Sequence, residues 1–154
     1  MHDRGVKEAP SRNDGFPTIL ALLHVPYQAV IQQVQEDLAA AGYSDLGPVH
    51  FNVLPYLRPG GSRLVDVALA AQVSKQSMNY LIDHLEARGY VERIPDPLDG
   101  RAKIIRLTHR GRELNGATQK SLRKVESRMS QRLGDAEMRK LRELLLGAFR
   151  ALKS

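Results

Sequence analysis

The side chains with the clearest chemistry lie close together on one predicted helix. Gln76 and Tyr80 point away from the apolar stripe of that helix, and Lys75 and Asn79 flank them. The amide groups of Gln and Asn can pair bidentately with adenine, whereas Lys and Tyr more often hold phosphates. This helix face therefore offers hydrogen-bond chemistry that suits a nucleic-acid duplex.

Residue patterns that would carry catalysis or metal binding are missing from the sequence. It has no Cys, so thiolate metal sites and thiol-based redox sensing are excluded. Its His residues show no HxxxH or HxxE spacing, and it contains neither a GxSxG motif nor a phosphate-binding Gly loop. We therefore expect no catalytic site, no metal site and no cofactor, and we expect the protein not to be an enzyme.

A predicted helix and a predicted β-hairpin position the polar face. The apolar stripe that predicts the helix consists of Met78, Leu81, Ile82 and Leu85. Ser74 is placed to cap this helix, and Gly89 ends it. Residues 90–94 alternate as a strand does, residues 95–101 carry turn residues, and residues 103–107 form the return strand. A helix followed by a hairpin with a basic tip is the geometry of a winged helix, which fits the major and minor grooves of DNA.

Two shorter helices are predicted before this unit. Residues 45–57 read as one helix, ended by the sequence Arg-Pro-Gly-Gly at residues 58–61. Residues 62–71 have helical spacing, and residues 72–74 form a three-residue turn into the next helix. Two short helices joined by such a turn make a helix-turn-helix.

Three longer predicted helices lie outside this unit. In residues 16–41 apolar residues recur every three or four positions, and Pro26 predicts a bend or a break there. Thr108 is placed to cap a helix that runs through Arg132, and Asp135 to cap a last helix with an apolar stripe. These helices either complete the core of one chain or associate with a second copy. Their apolar surface exceeds what a small winged helix covers, which favours self-association.

Charge and hydropathy give two further expectations. The net charge is +6, but just over half of the Lys and Arg residues lie in residues 108–154, where a solvated helix face accounts for most of them. Charge alone therefore does not argue for a polyanionic partner. Neither an apolar run of membrane-spanning length nor a signal peptide is recognisable, so we expect a cytoplasmic protein without a membrane partner.

Residues 81–111, LIDHLEARGYVERIPDPLDGRAKIIRLTHRG, resemble the MarR family of bacterial transcription regulators. The stretch has a recognition helix ending in Leu-Glu-x-x-Gly, an Asp-x-x-Asp-x-Arg wing, and Leu-Thr-x-x-Gly opening the next helix. The resemblance extends roughly over residues 20–152. It implies a fold that is mainly α with a small β-hairpin wing, in which a winged helix-turn-helix is joined to N- and C-terminal dimerisation helices.

The resemblance also implies a division of the chain. A flexible N-terminal tail is expected at residues 1–15 and an N-terminal dimerisation helix at residues 16–45. The winged helix-turn-helix DNA-binding domain is expected at residues 46–112, and C-terminal dimerisation helices at residues 113–154. The implied assembly is a homodimer that binds double-stranded DNA.

Site residues follow from the same resemblance. Those expected to begin the recognition helix and face the major groove are Ser74, Lys75, Gln76, Ser77, Asn79 and Tyr80. Arg101 is expected in the minor groove, oriented by a charge-assisted bond from Asp99. Arg93 and Lys103 are candidate phosphate contacts. The alternative for these charges is a solvated surface position, either in a turn ion pair or on a strand face.

Family members commonly sense a small molecule in a cleft between the helical dimer region and the winged helix. By resemblance, the residues that would line that cleft are Leu23, His24, Tyr27, His50 and Phe51. The alternative reading for each of them is core packing.

The function expected from these observations is a sequence-specific transcriptional regulator. It would be a dimeric repressor of a pseudo-palindromic operator, released by a small-molecule effector. The alternative is a winged-helix protein-protein interaction or scaffold module without sequence-specific DNA binding. Such a module would need neither the donor-rich face at residues 75–80 nor a basic wing at Arg101.

Overall fold

The structure is a computed structural model that describes residues 17–51 and 53–153. The tail predicted at residues 1–15 lies outside the described residues. In chain order the elements are α1 (Ile19–Ala40), α2 (Pro48–Phe51), a 3-10 turn (Leu54–Tyr56), β1 (Ser62–Arg63), α3 (Leu64–Ala70), α4 (Lys75–Ala87), β2 (Val91–Asp96), β3 (Asp99–Leu107), α5 (His109–Leu133) and α6 (Asp135–Lys153). None of the described helices is both long and apolar enough to cross a membrane.

The fold is mainly α with a small antiparallel sheet in the order β1-β3-β2, as predicted. The β2-β3 hairpin reverses at residues 97–98, inside the predicted interval. Its strands extend further than expected, to the pair Asp96 and Asp99. Proline has no amide N–H to donate to a strand ladder. Pro95 is tolerated because the register shifts between Pro95 and Asp96, and the regular hydrogen-bond pattern is interrupted at such a shift.

The strand β1 was not predicted. Residues 62–71 were expected to be helical throughout, but Ser62 and Arg63 pair with Ile105 and Ile104 of β3. Arg63 has extended dihedral angles, with φ −70° and ψ 141°, so α3 begins only at Leu64. Pairing with a distant strand has therefore replaced the first helical turn.

The single helix predicted at residues 45–57 is also wrong. The structure has the four-residue α2 followed by the 3-10 turn Leu54–Tyr56. Pro48 begins α2, and Pro55 stands at the start of the 3-10 turn. Because proline has no N–H to donate and clashes with the preceding turn, Pro55 prevents one continuous helix.

The helix α1 begins after Thr18, whose hydroxyl accepts a hydrogen bond from the Ala21 amide at 3.1 Å. It runs through Pro26 without interruption, so the break that was one of two expectations there is absent. Contacts with α5 stabilise α1 beyond the proline. The Ser121 hydroxyl donates to Asp37 at 2.7 Å, and this bond holds the pKa of Asp37 below its usual value.

The core joins α1, α4 and α5 around the start of β2. Met78, Ile82 and Leu85 are fully buried, which confirms the inward stripe of α4, while Leu81 is half-buried. Tyr90 is fully buried as well, and its hydroxyl donates to a carboxylate oxygen of Asp45 at 2.7 Å. The orientation of α4 is therefore fixed by apolar contacts on its inner side.

The junction between β3 and α5 explains the Leu-Thr-x-x-Gly motif. The Thr108 hydroxyl accepts from the Gly111 amide at 3.1 Å, so Thr108 is the predicted cap. The Thr108 amide donates to the Tyr90 carbonyl at 3.1 Å. A Cβ on Gly111 would lie 1.9 Å from that same carbonyl oxygen, so only glycine fits this close approach.

The last two helices differ slightly from expectation. The helix α5 ends at Leu133, and Gly134 has a φ of +96°, which favours glycine. Asp135 was predicted to cap α6, but α6 begins at Asp135 itself. The Asp135 carboxylate instead accepts a hydrogen bond from the Ser130 hydroxyl. This bond links the end of α5 to the first turn of α6.

Candidate nucleic-acid interface

The helix α4 begins at a well-defined cap. The Ser74 hydroxyl oxygen accepts from the Ser77 amide at 3.0 Å, as predicted, and also donates to the Ser77 hydroxyl at 2.8 Å. Both serines are exposed. The first turn of α4 therefore presents these two polar residues together, and their hydroxyl groups are already bonded to each other.

The outer face of α4 carries the predicted donors. Lys75, Gln76, Asn79 and Tyr80 are all exposed, and Tyr80 is 71% accessible. Their orientation follows from the burial of the opposite face, because residues three and four positions apart lie on one side of a helix. The structure therefore brings together the residues predicted for major-groove contact.

Arg93 has partners that the sequence did not reveal. Its guanidinium forms an ion pair with Glu86 and another with Asp83 at 2.7 Å, and it donates to the Asn79 carboxamide oxygen at 3.1 Å. The Arg93 side chain is only 19% exposed. These contacts favour a role in positioning α4 over the phosphate contact predicted for Arg93.

The wing carries Arg101 and Lys103 as exposed side chains. Asp99 was expected to pair with the Arg101 guanidinium, but its carboxylate accepts a hydrogen bond from the Arg101 backbone amide at 3.1 Å. Among the described residues no ion pair joins these two side chains. An Asp that bonds the amide two residues later stabilises a turn, so Asp99 shapes the wing tip and leaves the Arg101 guanidinium exposed.

The base of the wing is anchored by an ion pair that sequence reasoning missed. Arg63 of β1 contacts one carboxylate oxygen of Asp96 through Nη2 at 2.6 Å and through Nε at 2.8 Å. The Leu98 amide donates to the other oxygen at 2.9 Å. The bond from Leu98, followed by Arg63, holds the pKa of Asp96 below its usual range. Asp96 is the first Asp of the Asp-x-x-Asp-x-Arg motif, so the motif was the sequence signal that could have indicated this ion pair.

The residues predicted for a ligand cleft fall into two groups. Leu23, His24 and Tyr27 are exposed on α1, whereas His50 and Phe51 are buried in the winged helix. Burial of His50 and Phe51 agrees with the alternative reading of core packing. A cavity of about 390 Å³ lies between α1 and α5, but none of the five predicted residues lines it. Its lining includes Pro26, Val30, Val125 and Arg128.

His50 connects α2 to the helix α4. Its ring stacks on that of His84, with centroids 4.2 Å apart and an angle of 23° between the planes. His50 Nδ1 lies 3.0 Å from the Gly47 amide nitrogen. Burial is the main cause that lowers the pKa of His50 from its ordinary value, and the neighbouring His84 and Arg88 act in the same direction. The lowered pKa favours the neutral form of His50 in this stack.

We expect the stability of the protein to fall in mild acid because of His50. The unfolded chain takes up a proton at this side chain near its ordinary pKa of about 6.5, whereas the folded chain does so only at lower pH. The contribution of neutral His50 to the free energy of unfolding is therefore complete above pH 6.5 and is lost as the pH falls toward the folded-state pKa. Urea denaturation at several pH values should show it. His50→Gln should flatten this dependence, while His24→Gln, at an exposed position, should leave it unchanged; equal slopes in both variants would contradict the assignment.

Taken together, the capped and outward-facing α4, the preceding α3 and the β2-β3 hairpin define a winged helix-turn-helix protein. Residues 44–102 match the sequence profile of the MarR family. Solved structures of MarR-family regulators have the same fold over most of their length. Over these residues, and in its fold, the chain is similar to MarR-family regulators.

One curated relative and two solved structures illustrate the similarity. The HTH-type transcriptional regulator BilQ of Clostridioides difficile (strain CD3) is 32% identical over 78 residues, which cover 51% of this chain and 53% of BilQ. The match therefore spans about half the length of that curated relative. CouR from Rhodococcus jostii RHA1 bound to p-coumaroyl-CoA is 27% identical, with a TM-score of 0.67 over 82% of this chain and 88% of CouR. The transcriptional repressor CouR bound to a 23-mer DNA duplex is 25% identical, with a TM-score of 0.68 over 89% and 93% of the two chains.

Proposed function

We propose that the protein is a sequence-specific DNA-binding transcriptional regulator that acts as a dimeric repressor of a pseudo-palindromic operator in the cytoplasm. The observation that carries the proposal is the exposed donor face of α4 together with the exposed Arg101 on the hairpin that follows α4. The major groove of B-DNA admits an α-helix, and the neighbouring minor groove attracts arginine. The helix would read bases while the wing holds the adjacent backbone and groove.

The charges around this surface favour binding to a polyanion. Lys75, Arg101 and Lys103 are exposed, and their positive charges lie on the first turn of α4 and on the wing. Two of the acidic residues nearby are paired with arginines, since Asp83 contacts Arg93 and Asp96 contacts Arg63. Pairing reduces the repulsion that these two carboxylates would exert on phosphates, which favours binding through the exposed cations.

Apolar surface at both ends of the chain supports the homodimer. Large apolar residues that are exposed on the single chain include Ile19 and Leu20 of α1 and Leu144, Phe149 and Leu152 of α6. On α6, Phe149 follows Leu145 by four positions and Leu152 follows Phe149 by three, so these exposed residues share one helix face, and an exposed apolar face of this kind is usually covered by a partner. In a two-fold dimer α1 and α6 would form the shared helical region and would set the distance between two copies of α4. Residues 16–45 and 113–154 are accordingly proposed as dimerisation segments, on either side of the DNA-binding domain at 46–112.

A small-molecule effector is the remaining part of the proposal. The CouR structure bound to p-coumaroyl-CoA supports it by similarity, and CouR is described as a transcriptional repressor. In this chain the cavity between α1 and α5 has a volume of about 390 Å³ and is lined by both apolar and arginine side chains. A ligand there would contact both helices and, in a dimer, would alter the spacing of the DNA-reading helices.

Selection of bound fragments from random and genomic DNA tests the proposed function directly. We expect enrichment of an inverted repeat whose half-sites are centred about one helical turn, roughly 10 base pairs, apart. Affinity for the enriched sequence should fall steeply as salt rises, because several phosphates are neutralised. If no sequence is enriched above the input library, the regulator proposal is wrong and the interaction or scaffold module becomes the better description.

A further inference from the structure

We propose that Asp83 and Arg93 form a frame that fixes the carboxamide of Asn79 and thereby makes this residue a reader of adenine. The inference rests on the proposed DNA-binding function and goes beyond it, because it assigns a base preference and two positioning residues. The frame consists of the Asp83 and Arg93 side chains together.

Three hydrogen bonds close a ring around the carboxamide. Asn79 Nδ2 donates to Asp83 Oδ2 at 3.0 Å, and Asn79 Oδ1 accepts from Arg93 Nη2 at 3.1 Å. Arg93 Nη2 also donates to Asp83 Oδ1 at 2.7 Å. Each of the three side chains therefore contacts the other two, and the carboxamide is held at both its oxygen and its nitrogen.

The chemistry of the partners permits only one orientation of the carboxamide. A carboxylate accepts hydrogen bonds and cannot donate them, and a guanidinium donates and cannot accept. If the Asn79 carboxamide were flipped, its oxygen would face the Asp83 carboxylate and its NH₂ would face Arg93. Both contacts would then be repulsive, so the frame fixes the order of donor and acceptor.

The frame is anchored outside the exposed face of α4. Arg93 belongs to β2, and its guanidinium is also paired with Glu86, one turn further along α4. The Arg93 backbone amide donates to Glu86 Oε1 at 3.2 Å. Since Arg93 is mostly buried, its position is set by the packing of α4 against β2 and does not depend on solvent-exposed rotamers.

The remaining hydrogen-bonding capacity of Asn79 matches adenine. A carboxamide has two N–H groups and two oxygen lone pairs, and the frame uses one of each. One donor and one acceptor are left. In the major groove adenine offers the acceptor N7 beside the donor N6, whereas guanine offers two acceptors, N7 and O6. A carboxamide that cannot exchange its donor and acceptor therefore favours adenine.

The position of Asp83 is otherwise unfavourable for a DNA-binding helix. Asp83 is exposed, with 55% of its side chain accessible, so its charge lies on the surface that would approach phosphates. An acidic group there lowers affinity for every sequence alike. Its presence is explained if it increases discrimination between bases, and this makes a testable distinction between affinity and specificity.

The test measures base preference separately from affinity. The parent operator is first obtained by fragment selection, and Asn79→Ala then identifies the base pair whose preference depends on Asn79. Asp83→Asn has nearly the same shape, but its side chain both donates and accepts and it carries no charge. We expect Asp83→Asn to reduce the adenine preference at that base pair about tenfold. The same variant should bind unrelated DNA more tightly than the parent does.

Arg93→Gln provides a second variant, and Arg106→Gln a matched control. Arg106 donates to Glu92 at 2.8 and 3.0 Å across β2 and β3, so its loss breaks a comparable ion pair that does not involve Asn79. We expect Arg93→Gln to relax the same base pair as Asn79→Ala, and Arg106→Gln to leave all preferences as in the parent. Thermal unfolding of each variant separates misfolding from lost discrimination, and the exposed Asp83→Asn change keeps the test valid if Arg93→Gln does not fold.

Two outcomes would overturn the proposal alone. In the first, Asn79→Ala relaxes no base pair of an operator that the parent does select. In the second, Asp83→Asn keeps the full adenine preference and alters only the overall affinity, which would give Asp83 no part in readout. If the parent protein enriches no sequence at all, the proposed function fails and the frame has no base to read.

Discussion

A Gly111→Ala variant is expected to lose about 3 kcal/mol or more of unfolding free energy, because overpacking at a rigid contact is costly. The added Cβ would lie 1.9 Å from the Tyr90 carbonyl oxygen and 3.1 Å from a methyl carbon of Leu107. Neither the Tyr90 carbonyl nor its surroundings can move easily, since this oxygen also accepts from the Thr108 amide and Tyr90 is fully buried. Relief would require α5 to shift away from the winged helix.

Urea denaturation measures this loss, and Gly116→Ala supplies the control. Gly116 lies in the same helix, with no neighbouring atom within 4 Å of a built Cβ. Alanine there should stabilise the helix by about 0.5–1 kcal/mol, because glycine has the higher conformational entropy when unfolded. Opposite signs for two Gly-to-Ala changes in one helix are the expected result. A Gly111→Ala variant as stable as the parent would mean that Gly111 of α5 is not closely packed against the Tyr90 carbonyl.

The second large effect is expected at the wing. Arg101→Ala should weaken binding to the selected operator by about 1–3 kcal/mol, as loss of a groove contact usually does. The physical reason is the exposed guanidinium, which among the described residues is not paired with Asp99 and can enter the negative potential of a narrow minor groove. Binding should be compared at one fixed salt concentration.

A change in net charge alone must be separated from this effect. Arg150→Ala removes the same charge from the last turn of α6, outside the proposed DNA-binding domain, and should change operator affinity much less. The Arg101 variant should keep the unfolding free energy of the parent, since Arg101 is exposed. Parent-like affinity of Arg101→Ala for its own operator would remove the wing from the proposed interface. Equal losses in both variants would indicate a general electrostatic effect in place of a groove contact.

The correct predictions concern features that are encoded by residues close together in the sequence. Ser74 and Thr108 cap their helices as predicted, and Gly89 has a φ of +72° where a left-handed exit from α4 was expected. The apolar stripe of α4 is buried, and the hairpin reverses within the predicted interval. Each of these features depends on hydrogen bonds or steric limits within about four residues, so the local sequence is enough to specify it.

One error arises where distant parts of the chain meet, and two have local causes. β1 exists only because Ser62 and Arg63 lie beside Ile104 and Ile105 of β3, some forty residues later. The division of residues 45–57 has a local cause, since Pro55 interrupts the helical hydrogen bonding that the apolar spacing predicts. Asp99 was predicted to bond the Arg101 guanidinium, but its carboxylate accepts from the Arg101 backbone amide. An Asp in a turn can bond either group.

The sequence by itself determined the class of fold, the residues on the outer face of α4 and the basic wing. Periodicity and turn residues encode these features, and they depend little on the rest of the chain. Only the tertiary structure decided which of the predicted DNA-contacting cations form ion pairs within the chain. Arg93 and Arg101 were both predicted to contact DNA, but the return of β2 beside α4 places Arg93 among Asn79, Asp83 and Glu86. Whether an ionisable side chain meets a partner depends on where the chain returns in space, and the spacing of residues along the sequence does not contain that information.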